Sequence, residues 1–136
     1  MVSDQRGSAA VETVLLVPVM LLFVALMVAG ARLHLARAEV TDAASTGARA
    51  ASLQYSAGAA ERAARAQVHR ELHSTCDPVT EVNTAGFARP VGTPAEVRVR
   101  VRCDVFFDDV ILPGMPGRIT VESEFGSVLD TYRRRR

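Results

Sequence analysis

Two sets of residues in this chain have types and spacings that could do chemistry. The first is Gly7 followed at the fifth residue beyond it by Glu12, which abuts a long uncharged run. A carboxylate at the edge of a membrane-length helix costs free energy, up to roughly 2.5 to 3.5 kcal/mol at the bilayer centre and less near an end. One reason for it is a solvated flank in the headgroups, favoured by the positive end of the helix dipole. The other is proteolysis: cleavage between Gly7 and Ser8 would create an α-amino group with Glu12 at the fifth position of the shortened chain, and the two charges could pair between subunits. The second set is Cys76 and Cys103, the only cysteines. A disulfide suits an oxidising compartment and would contribute about 2 to 4 kcal/mol. A rival use is a zinc tetrahedron, since His69, His73 and Cys76 share helix-face spacing and Cys103 could complete the set.

The elements that must position these residues begin with the segment 13–31, which carries no charge and lies between Glu12 and Arg32. As a helix it would cover about 28 Å, close to the hydrocarbon thickness of a bilayer. Pro18 lies about one turn inside, where a modest kink is expected. Ala29-Gly30-Ala31 also has the form that signal peptidase accepts, which would make Arg32 the start of a secreted chain; against this, the run exceeds an ordinary signal core and Asp4 and Glu12 are unusual in its flank.

Beyond the span, residues 33–73 are rich in helix formers without proline, so the helix is expected to continue outside the membrane. Ala43, Gly47 and Ala51 recur every fourth residue and form a flat stripe for close packing, either onto the chain's own sheet or against another subunit. Gly58 is the expected break in this helix, after which Ala64, Val68 and Leu72 make an apolar line. Residues 95–107 alternate, with Val97, Val99, Val101, Cys103 and Val105 on one face and Arg98, Arg100, Arg102 and Asp104 on the other. A second strand is expected over 118–125 after the loop 112–117, and a weaker one over 79–87. Such a meander needs the helix to cover its valine face.

At 136 residues the chain is one ordinary domain. With 49% hydrophobic residues it is not a disordered chain, and a net charge of +1 with no tryptophan argues against nucleic acid. The Arg98, Arg100, Arg102 row and residues 133–136 are the basic patches. They read as a solvated strand face and a frayed tail, or as an attachment surface for anionic envelope polymers. Asp108-Asp109, Glu122 and Glu124 do not pair an acid with a base in a pocket, and no phosphate loop, nucleophile elbow or metalloprotease helix is present, so no enzyme and no cofactor is expected.

Arg6-Gly7-Ser8-Ala9-Ala10-Val11-Glu12, Pro18, Gly30-Ala31-Arg32 and Ala43-Ala44-Ser45-Thr46-Gly47-Ala48-Arg49-Ala50-Ala51 together resemble the TadE-like proteins of the tight-adherence (Flp) type IV pilus system. The resemblance is dense over residues 6–51 and diffuse later, at Leu112-Pro113-Gly114-Met115-Pro116-Gly117 and Asp130-Thr131-Tyr132-Arg133. It implies a class III (prepilin) signal cut by a prepilin peptidase at Gly7-Ser8, and a pilin-like subunit or assembly factor working with other pilin-like subunits and the pilus assembly machinery. Thr13 stands where an aromatic often follows the glutamate in this group, and major Flp pilins are much shorter, which points to a minor component. The expected fold is α+β: a leader at 1–7, a transmembrane helix at 8–32, an exported helical region at 33–75, a small antiparallel sheet region at 76–132 and a basic tail at 133–136. Arg32, Arg37 and Arg49 follow the span while Arg6 precedes it, so cation counting alone places the C-terminal region inside. The cysteine pair and the leader place it outside. The alternatives are an uncleaved single-pass anchor carrying an exported scaffold domain, and a secreted soluble protein.

Overall fold

A computed structural model of the chain describes residues 6–106, 117–132 and 134, with side chains from residue 14 onward. Asp108, Asp109, residues 112–116 of the expected loop, and Arg133, Arg135 and Arg136 lie outside the described residues. Helix α1 spans Arg6–Ser52 without interruption and keeps Pro18 inside it. Its 47 residues reach about 70 Å. The front of this helix is bare, with Val14 72% and Met27 74% exposed; the rear is packed, with Val40, Ala43, Ala44, Ala48 and Ala51 fully buried.

Gly58 is not where the helix breaks. The chain leaves α1 at Ser52 and turns through 53–56 into α2, Ala57–Leu72, whose N-cap is Ser56. The Ser56 hydroxyl accepts from the Ala59 N–H, satisfying one of the orphan donors of the new helix. The Ser56 cap at the end of this four-residue turn sets where α2 begins, and Gly58 falls in the first turn of α2. The helices then run antiparallel as a hairpin: the Thr46 hydroxyl meets the Glu71 carboxylate at 2.8 Å, and the Thr75 hydroxyl donates to Glu39 at 2.9 Å. The line Ala60, Ala64, Val68 and Leu72 is fully buried.

Strands β1 (Val79–Asn83), β2 (Ala95–Phe106) and β3 (Arg118–Leu129) form an antiparallel meander in the order β1-β2-β3. The weak candidate over 79–87 is therefore a strand only to Asn83. The Asn83 side chain accepts from the Ala85 N–H and turns the chain into a short 3-10 helix, Ala85–Ala88, that buries Phe87. Gly86 is required here by close approach, because a Cβ would strike the Glu96 carbonyl. β3 runs four residues beyond the expected end at Phe125, since Ser127 and Leu129 pair with Val97 and Ala95. Val97, Val99, Val101 and Cys103 of the central strand are buried and face the helices. The architecture is thus α+β, a helical hairpin layered on one face of a three-stranded sheet.

Candidate functional site

The small-residue stripe is the seam of the fold. Ala43, Gly47 and Ala51 are all buried. At Gly47 a Cβ would lie 2.9 Å from Val68 Cγ2 on α2, 3.5 Å from the Ala64 carbonyl and 3.6 Å from Val99 Cγ1 on β2. Three elements therefore converge on a position that has no room for a side chain. The stripe serves packing within the chain, onto both α2 and the sheet.

Cys76 and Cys103 are joined in a disulfide, with Cα atoms 5.9 Å apart and a sequence separation of 27. Cys76 follows the end of α2, where its N–H donates to the Leu72 carbonyl, and Cys103 is on the buried face of β2. The bond staples the second helix to the central strand. It also overturns the zinc alternative, because both sulfurs are committed to each other. His69 and His73 stack with ring centroids 6.1 Å apart, and His73 Nδ1 lies 3.0 Å from the Arg70 carbonyl.

The arginine row is not a basic patch. On the outer face of the sheet Arg100 lies 2.6 Å from Glu124 and 3.2 Å from Glu122, while Arg102 lies 2.9 Å from Glu122 and 3.2 Å from Glu81. Arg98 pairs with Glu96. The hydrogen bond and charge of Glu124, with smaller help from Glu122 and Glu81, raise the Arg100 pKa further above its already high ordinary value. Strand alternation puts Glu122 and Glu124 on the outward face of β3; the register, which sets Arg100 against Glu124 and Arg102 against Glu122, turns two charge rows into one ion-paired lattice. An open groove of about 350 Å³ beside it has Asn83, Gly86, Arg89, Glu96, Arg98 and Val128 in its lining, and the carboxylate of Glu96 is the partner of Arg98.

Gly7, Ser8 and Glu12 fall in the backbone of α1, and their side chains lie outside the described ones. They precede the apolar stretch on a continuous helical rod. The described part of that rod is long and apolar enough to cross a membrane, and only 6% of its most apolar stretch is buried within the protein. A core helix would be mostly covered, so the class of protein defined here is a small α+β domain carried on a helix of membrane-anchor type.

Residues 7–49 match the family model of TadE-like protein, so this N-terminal segment is similar to that family. The match runs from Gly7 through the apolar stretch to Arg49, inside the packed stripe. No curated protein and no solved structure matches the chain.

Proposed function

We propose that this protein is a minor, pilin-like structural or assembly component of a tight-adherence (Flp) type IV pilus or a related secretion apparatus. The supporting observation is that the TadE-like match and helix α1 coincide from Gly7 to Arg49, so one rigid rod joins a processing segment, a span and the seam of a folded domain. In this reading the N-terminus is cytoplasmic, the span is retained, and the domain from about residue 33 is exported, where an oxidising environment maintains Cys76–Cys103. A prepilin peptidase cuts between Gly7 and Ser8. The new amino group then neutralises Glu12 of a neighbouring subunit, offsetting the cost of a carboxylate at the membrane edge. The domain acts by contact with other pilin-like subunits and assembly machinery. Catalysis has no part in this reading, which is supported by the engagement of Glu81, Glu96, Glu122 and Glu124 with arginines.

A reporter fused after Arg136 tests the topology. Alkaline phosphatase is expected to be active there and to sediment with membranes after carbonate washing. An inactive phosphatase with an active cytoplasmic reporter at the same place would reverse the orientation. An active phosphatase released into the soluble fraction would instead indicate a secreted protein.

A further inference from the structure

The stapled domain can be placed in height along α1 from three contacts. At one end the Ser127 hydroxyl donates to the Ser52 hydroxyl at 3.1 Å, and Ser127 is paired with Val97 across the sheet. At the other, Thr75 donates to Glu39, and the adjacent Cys76 is bonded to Cys103. From Ser52 back to Glu39 is about 20 Å of helix. From Val97 to Cys103 is also about 20 Å of strand. β2 therefore runs down α1 toward its apolar front, nearly antiparallel to it. Three residues past Cys103, about 10 Å further on, is Phe106, paired with Arg118. The same 10 Å along α1 arrives near Arg32, the first charge after the apolar stretch.

What stands at that level is an exposed aromatic with a cation on it. Phe106 is 55% exposed, and the Arg118 guanidinium lies over its ring, 5.1 Å from the centroid. The Arg118 side chain is itself 62% exposed and also lies 3.5 Å from the Asp104 carboxylate, a loose, open ion pair that leaves its remaining N–H groups facing outward. On α1, Leu35 is 61% exposed at a comparable height. An aromatic ring capped by guanidinium suits the boundary between acyl chains and phosphates, where the ring enters the apolar side and the cation meets lipid phosphate. At the far end of β3, Val128 is 79% exposed but sits beside the Ser52 end, about 30 Å from that level.

We infer that the Phe106–Arg118 end of the β2–β3 ladder rests on the bilayer surface, giving the domain a second, peripheral contact with lipid that fixes its orientation around α1. This rests on the reading of α1 as a membrane span. The chain has no tryptophan, so single indoles report cleanly. F106W, V128W and F23W variants of the full chain would be reconstituted into phosphatidylethanolamine–phosphatidylglycerol vesicles. Each would be quenched by acrylamide and by lipids brominated near the headgroup or near the chain ends. The indole at position 106 is expected to be quenched by the shallow brominated lipid at least about twofold more than that at 128, and to be shielded from acrylamide. The indole at 23 should respond to deep bromines. If 106 behaves as 128 does while 23 is quenched from within the bilayer, the surface contact is wrong and the span stands. If 23 is also open to acrylamide and untouched by brominated lipid, the span is wrong and the surface contact falls with it.

Discussion

Replacing both cysteines, as C76A/C103A, is expected to lower the stability of the α+β domain by about 3.5 kcal/mol, the chain-entropy value for a closed loop of this length. The effect is large because the fold has little else in reserve. Its fully buried side chains are mostly alanine and valine, with Leu72 the largest. The staple joins two elements whose mutual contact is otherwise thin, since α2 packs mainly on α1. Urea unfolding of the full chain in mild detergent, followed by tyrosine fluorescence at Tyr55 and Tyr132, measures it. The midpoint should fall by about 2 to 3 M urea in the variant. The natural chain should fall equally in dithiothreitol. An unchanged midpoint in a sample shown by mass to be reduced would contradict the assignment.

Substituting Gly47 with leucine is expected to cost about 3 kcal/mol, and with alanine about 1 kcal/mol. The alanine methyl would lie 2.9 Å from the Cγ2 of the buried Val68, closer than methyl groups pack, so Val68 must move; the leucine must also displace the Ala64 backbone and Val99. Truncating Val68 to alanine opens space for the first and not for the second. A double-mutant cycle between G47A and V68A should therefore show favourable coupling. Were the stripe a subunit seam, G47L would leave the monomer's unfolding unchanged and affect assembly alone. Unchanged monomer stability is the result that would refute the intramolecular role.

The features most legible in the sequence were those with a strict period or a categorical composition. The uncharged stretch 13–31 declared its length, and the alternation from Val97 to Cys103 declared both the strand and its buried face. The stripe at Ala43, Gly47 and Ala51 was visible, but whether it packed inside the chain or between chains was not, because spacing defines a surface and not its partner. A glycine is a stronger break signal than a serine, so the sequence points to Gly58, whereas α1 ends at Ser52 and the Ser56 cap starts α2 before that glycine. The arginine row and the outward Glu122 and Glu124 are each legible in the sequence, but their pairing is not. Charges on two strands cancel only once register is known, and the register depends on a hairpin whose ends the sequence marks weakly. The close approach of Gly86 to the Glu96 carbonyl joins residues ten apart through a 3-10 turn, and no periodicity announces it.

The central claim is that the apolar rod is retained and that the chain ahead of it is severed after Gly7. The intact mass of the protein extracted from the cell envelope, without reductant, tests this most directly. The expected species begins at Ser8 and is two hydrogens lighter than its fully reduced form. A species beginning at Arg32, recovered from the soluble fraction, would contradict the account.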